Sequence, residues 1–416
     1  MSAVPASDIM LAAALVFGLA MACQVIAPKL HMPALVLLLP VGFLLGLAAP
    51  QLRVDTILGS AFPVIVSLVV AVILFQGGMG LTSIPLKGTD RRVARHLVLI
   101  GGTITALCSS LAAHFILGMD WPMAFMLGTI VIVSGPTVVT PILQFVRPRK
   151  RVGGILIWEG TLLDPLGALV AVVVFQLVKA SAAESLVDGI VMFALGVLTA
   201  VVAAVFGVVL FVVGGKLVKG STLLGTQVLL GSVIVAAALA DSVTDDSGLL
   251  TALLMGFTAP HVARHFGASL DPCTPFFDTI VSISIGVLFI SIAALVPYAT
   301  LAAVIVPTLV IAVILILVVR PLVATVCTIG AELSLRERAF IAWMDPRGIV
   351  AAATASSVGA TLVSLNVPDA NYLLPAAFVI IAVTVTVYGL TAVPVAKLLG
   401  VRQDAPAPAE APAPTG

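Results

Sequence analysis

Apolar stretches as long as a bilayer is thick recur from one end of this sequence to the other, divided by short charged or turn-rich breaks. Such a chain has few ways to fold. In hydrocarbon every backbone N–H and C=O must be satisfied within the protein, and a helix does this for each segment on its own. Of the 416 residues, 61% are hydrophobic and 9% charged, and the mean hydropathy is +1.25, which excludes a soluble globular domain. Cys23, Cys108, Cys273 and Cys327 are scattered, so neither a disulfide framework nor a metal site is expected. The net charge of +1 and the lack of a basic block give no reason to expect a nucleic-acid partner. With no basic n-region and no convincing cleavage site, Met10–Ala27 reads as a first span rather than a removed signal.

Cutting at the charged and turn-rich breaks gives thirteen spans: 8–28, 33–50, 58–81, 94–117, 121–146, 152–178, 187–214, 222–241, 247–263, 277–297, 300–326, 335–361 and 371–398. The distribution of Lys and Arg tests the cut. With the N-terminus outside and every span crossing, sixteen of the twenty basic residues fall on the inner side, among them Arg91, Arg92, Arg95, Arg149, Arg151 and Arg402. Only Arg53 and Lys179 fall outside, where Asp120, Glu184, Asp188, Asp241, Asp245, Asp246 and Asp369 gather. An even number of spans would scramble this separation. The expectation is a multi-pass protein of the cell membrane with its C-terminus in the cytoplasm. Residues 1–401 form the transmembrane domain, and the Pro/Ala-rich tail 402–416 is expected to be disordered.

Two carboxylates, Glu159 and Asp164, sit inside the sixth span with apolar residues on either side. An acid at the bilayer midplane costs several kcal/mol, a cost rarely carried without a use. Five residues at about 100° each set the two side chains roughly 140° apart around the helix, so two different jobs are expected rather than one dyad. Two basic residues, Arg320 and Arg347, also fall within spans.

Spans 5 and 12 are interrupted at matching places, by Val133-Ser134-Gly135-Pro136-Thr137 and by Met344-Asp345-Pro346-Arg347-Gly348. Pro136 leaves the Ile132 carbonyl without its helical donor, and Pro346 does the same to Ala342. Spans 5 and 12 correspond if six spans repeat, inverted, after a linking seventh. Paired interruptions of this kind point to the site of a secondary transporter. Asp164 is followed by Pro165, which frees the Thr161 carbonyl one turn back. A carboxylate, loose carbonyls and the hydroxyls of Thr161, Ser134 and Thr137 make an oxygen-rich environment suited to small hard cations.

At these residues the chain resembles the sodium/proton exchanger family of NhaP/NHE type, in its bacterial branch. The resemblance is carried by Leu74-Phe75-Gln76-Gly77-Gly78, Ser134-Gly135-Pro136-Thr137, Glu159 to Ala168, Ser247-Gly248-Leu249-Leu250, Arg320-Pro321 and Pro346-Arg347-Gly348. It implies an all-α fold of two inverted six-helix repeats, with broken helices 5 and 12 crossing at the midplane. The core is expected from spans at about 94–178 and 300–398, and the scaffold and dimer contact from those at about 8–81 and 187–297. It also implies that Asp164 is the ion-binding acid and Glu159 a structural acid paired with Arg320. Arg347 is the alternative partner for Glu159. Where the family often has Asn, Asp, Glu and Ser, this chain has Leu163, Gly135, Gln76 and Gly160. The cytosolic nucleotide-binding domain common in this branch is not expected here.

The function these readings imply is exchange of a monovalent cation for a proton by alternating access, with no cofactor and no enzymatic activity. Sodium is the first expectation, with lithium or potassium as alternatives. If Arg320 keeps Glu159 ionised, Asp164 alone alternates between proton and cation, and the exchange is electroneutral. Ser134, Thr137 and Thr161 are candidate hydroxyl ligands, Gln76 is a candidate lining residue, and Arg347 is expected to bind carbonyls freed at the crossing. Asp345 is either a third titrating group or a helix cap. A cation channel and an intramembrane protease using Asp164 and Asp345 are the rival classes. Membrane lipid, a second copy of the chain and small inorganic cations are the expected partners.

Overall fold

The computed structural model describes residues 6–30, 32–50, 53–59, 61–80, 86, 88–182, 186–218, 221–244, 247–266 and 270–402. Among these residues the chain is helical throughout, with one isolated bridge between Pro148 and Arg402 in place of any strand. Helix occupies each of the thirteen predicted intervals. Single helices fill most of them: α1 (Ala6–Lys29), α2 (Leu35–Ala48), α4 (Ala61–Gly80), α9 (Lys150–Ala182), α10 (Leu186–Leu217), α11 (Thr222–Val243), α12 (Ser247–His265), α13 (Thr274–Leu295) and α18 (Ala370–Leu399). A short helix, α3 (Val54–Leu58), precedes α4. Among the described residues eight helical segments are long and apolar enough to cross a membrane, including Lys150–Lys179 and Ala370–Leu399.

Intervals 5 and 12 are each split. α7 (Trp121–Ile132) and α8 (Pro136–Val146) flank one gap, and α16 (Leu335–Trp343) and α17 (Ile349–Ser364) flank the other. Proline explains the first gap, since Pro136 is the first residue of α8, where a missing N–H costs nothing. α16 starts on a reciprocal cap: Ser334 Oγ accepts from the Glu337 N–H at 3.3 Å, and Glu337 Oε2 accepts from the Ser334 N–H at 2.9 Å.

Intervals 4 and 11 share a feature the sequence did not reveal. α5 (Gly88–His96) passes into α6 (Gly102–Leu117) through a π turn at Leu97–Gly101, and α14 (Tyr298–Ile314) passes into α15 (Arg320–Cys327) through another at Leu315–Val319. The second has a visible cause, because Pro321 cannot donate to Leu317 and its ring displaces that carbonyl. The two π turns stand seven intervals apart, the same offset as the two breaks. α15 packs on the first π turn, and the Cys327 thiol donates to the His96 carbonyl at 3.3 Å.

α9 lies at the centre, packed against α4, α5, α7, α8, α10 and α17. Outer helices turn apolar faces outward, as in α10, where Val191, Leu195, Leu198, Val202 and Val209 are exposed. Arg402, assigned to the tail by the sequence reading, is instead docked. Its Nε donates to the Val146 carbonyl at 2.9 Å, and the Arg149 N–H donates to the Val401 carbonyl at 2.9 Å. The rest of the tail, 403–416, lies outside the described residues.

Candidate functional site

The gaps of the two broken intervals meet. The Gly348 N–H donates to the Val133 carbonyl at 3.2 Å, and Ser134 Oγ donates to the Pro346 carbonyl at 3.1 Å. Unwound backbone at this depth needs partners from protein, and each gap supplies them to the other. Arg347 Nη1 donates to the Ile132 carbonyl at 3.3 Å, the carbonyl that Pro136 deprives of its helical donor. A guanidinium at the C-terminal end of α7 also opposes that end's partial negative charge.

α9 presents Gly160, Asp164 and Gly167 at i, i+4 and i+7, one face of a helix. That face meets the first gap. A Cβ on Gly167 would stand 2.9 Å from Val133 Cγ2 and 3.3 Å from Val133 N, and one on Gly160 would stand 3.6 Å from the Ser134 carbonyl oxygen. Gly167 thus lets the unwound backbone approach α9 closely one turn after Asp164, and Gly160, one turn before it, lies in ordinary contact with the same segment. Asp164 is 2% exposed, and its Oδ1 has no hydrogen-bond partner among the described residues. A buried carboxylate oxygen left over in this way calls for an explanation.

Glu159 points elsewhere. Arg320 grips it with both ends of its fork, Nη1 to Oε1 at 2.5 Å and Nη2 to Oε2 at 2.9 Å, while Arg320 Nε donates to the Ile341 carbonyl at 3.0 Å. α9, α15 and α16 are therefore tied at one guanidinium. Asp345 is buried and bonded to Arg347 at 2.5 Å, and its other oxygen stands 4.0 Å from Arg320 Nη1. Glu159, Arg320, Asp345 and Arg347 form one chain of alternating charge. The sequence reading named all four residues but did not link Asp345 to either arginine.

The remaining candidates are dispersed. Thr161 is buried one turn before Asp164, with its methyl group toward Gly80 of α4. Gln76 donates through Nε2 to Asp278 Oδ1, a contact between α4 and α13. The Thr137 side chain lies outside the described residues. Among the described residues no cluster of His, Cys, Asp and Glu is suited to a resident metal ion.

A family model described as sodium/hydrogen exchanger, transmembrane, matches residues 11–398. The chain belongs to the transmembrane sodium/hydrogen exchanger family. Among relatives of this exchanger-family chain, a K(+)/H(+) antiporter NhaP from Alkalimonas amylolytica is 24% identical over 395 residues, covering 92% of the chain and 65% of the relative. A K(+)/H(+) antiporter NhaP2 from a Shewanella species is 25% identical over 382 residues, covering 90% and 64%. The chain thus spans just under two thirds of the length of these two relatives. A Na(+)/H(+) antiporter 1 from Methanocaldococcus jannaschii is 25% identical over 342 residues, covering 80% and 79%. The fold matches the solved structure of the sodium proton antiporter MjNhaP1 from that organism, with a TM-score of 0.76 at 23% identity over 94% of the chain and 100% of that structure. Family and fold agree with the resemblance drawn from the motifs.

Proposed function

We propose that this chain is a secondary antiporter that exchanges a monovalent cation for a proton by alternating access, with Asp164 as the exchanging carboxylate. The observation that carries the reading is the contrast between buried charges. Glu159, Arg320, Asp345 and Arg347 all have charged partners, whereas Asp164 has an orphan oxygen and faces an unwound segment. A proton or a cation neutralises Asp164, and the bare anion is the costly form at this depth. Only loaded states then cross between the two sides, which enforces exchange.

With Glu159 held by Arg320, one acid remains to alternate, and the exchange is one proton per monovalent cation and electroneutral. The Ser134 hydroxyl, whose proton goes to Pro346, keeps its lone pairs for a cation; Thr161 and Thr137 are the further hydroxyl candidates. Sodium and potassium both stand as cargo, since relatives bear the names of K(+)/H(+) and of Na(+)/H(+) antiporters. The protein is a cell-membrane transporter with its N-terminus outside, its C-terminus in the cytoplasm and a second copy of the chain as partner. It needs no cofactor and catalyses no covalent chemistry.

Proton flux in proteoliposomes, driven in turn by lithium, sodium and potassium gradients, tests the reading. At least one cation is expected to drive proton movement, and a membrane voltage set by valinomycin is expected to leave the exchange equilibrium unmoved. Electrical conductance without proton coupling would support a channel instead.

A further inference from the structure

We propose that Asp345 sets the strength of ion binding at Asp164 by cancelling the charge of Arg347, so that Asp164 carries the one uncompensated charge at the crossing. The inference rests on the reading of Asp164 as the exchanging acid and adds a residue to it. Arg320 already has a full partner in Glu159, with two short hydrogen bonds. Among the described residues Arg347 has no charged partner on a neighbouring helix. Its polar contacts are the Ile132 carbonyl and the Asp345 carboxylate two residues before it in the same gap, and its Nε has no partner among the described residues. Without Asp345 the chain of Glu159, Arg320 and Arg347 would hold two guanidinium groups against one carboxylate, and the surplus positive charge would stand beside Asp164.

Arg347 is close enough to matter. The carbonyl it binds belongs to Ile132, and the Ile132 and Leu163 side chains lie together against Gly102. The next residue, Val133, lies against Gly167. The turn of α9 that carries Asp164 therefore faces Ile132, whose carbonyl Arg347 grips, and Val133 beside it. A unit charge about 10 Å away, at an effective dielectric near 20, changes the affinity for a cation on the order of tenfold. Tyr388 of α18, buried and edge-on to Trp343, and the buried Cys327 of α15 are further titratable side chains near this charge chain, and as a neutral phenol and thiol they leave the balance unchanged.

The sign of the effect distinguishes charge balance from mere packing. Asp345→Asn adds a net positive charge at the crossing and weakens cation binding. Arg347→Gln adds a net negative charge and tightens it. The double variant D345N/R347Q restores neutrality, and Asp345→Glu preserves it. A packing defect would weaken binding in all four.

The measurement is cation binding by the purified full chain in detergent, read as the rise in unfolding temperature on titration with lithium, sodium or potassium chloride. Choline chloride holds ionic strength constant, and the pH is alkaline. The expected result is about tenfold weaker binding for D345N, tighter binding for R347Q, and values within about threefold of the parent for the double variant and D345E. Shifts of the same sign in D345N and R347Q, no shift in either, or a double variant as weak as D345N would overturn the proposal. If D345N does not fold, R347Q alone decides, because weakened or unchanged binding contradicts it. Asp164→Asn is run in parallel. Cation stabilisation that survives it overturns the reading of Asp164 and this inference together; stabilisation lost in D164N with the wrong signs at Asp345 and Arg347 overturns this inference alone.

Discussion

The backbone N–H of Gly348 donates to the carbonyl of Val133 at 3.2 Å, joining the two broken spans through their unwound segments. Glycine is required there by space. A Cβ on Gly348 would stand 2.8 Å from the Gly135 nitrogen, a distance side chains do not tolerate, and the neighbour is backbone that cannot swing away. Gly348→Ala is expected to push the crossing apart and to abolish or severely reduce exchange. Gly231→Ala, in the interior of α11 with nothing within 4 Å of its Cβ position, is expected to raise stability by about 0.4–1 kcal/mol. Flux and thermal unfolding of the two variants check both statements, and equal effects would contradict them.

Glu159 and Arg320 make a fully buried pair, so breaking it and deleting it should differ. Glu159→Gln or Arg320→Leu strands one charge and is expected to destabilise by about 3–5 kcal/mol. The double variant E159L/R320L, which removes both charges, is expected to be more stable than either single one. The partly exposed pair Arg151–Asp90 provides the contrast. At 2.6 Å it is as short, but solvent screens it, and Asp90→Asn is expected to cost at most about 1 kcal/mol. Unfolding transitions in detergent, compared as a double-mutant cycle, measure the difference.

Arg402 clasps the end of α8 through the Val146 carbonyl. Arg402→Ala removes that hydrogen bond and is expected to cost ~1 kcal/mol locally. Hydrogen exchange is the suitable readout. Faster exchange is expected across 143–152, where α8 ends and α9 begins, with α11 and α14 unchanged. Uniform change along the chain would mean that the contact is not local.

The helical class, the two breaks and the two intramembrane acids were legible because each leaves a mark in composition or in proline. Pro136 and Pro346 betray the gaps, and the spacing of Glu159 and Asp164 already separates their faces. The partner of Glu159 required distance information, since Arg320 and Arg347 were both available to it. The link from Asp345 to Arg347 spans only two residues, yet forms in the unwound segment between α16 and α17, which helical spacing does not suggest. The π turn at Leu97–Gly101 has no proline to announce it. The docking of Arg402 is hidden for another reason, because a low-complexity tail follows it and gives no sign of where the fold ends. Gly135 and Gly160 looked like losses of polar groups. In the structure both lie at contacts between elements: Gly160 packs on the first gap, with its Cβ position 3.2 Å from Val139 Cγ2, and the Gly135 nitrogen lies 2.8 Å from the Cβ position of Gly348.

The central claim is that Asp164 alone alternates between proton and cation. Its most direct test is cation-driven pH change in proteoliposomes carrying Asp164→Asn, with folding verified by an unchanged elution profile and unfolding temperature. The account predicts that the variant shows no cation-driven proton movement with lithium, sodium or potassium while the parent chain does. Proton exchange that persists in folded Asp164→Asn would contradict it.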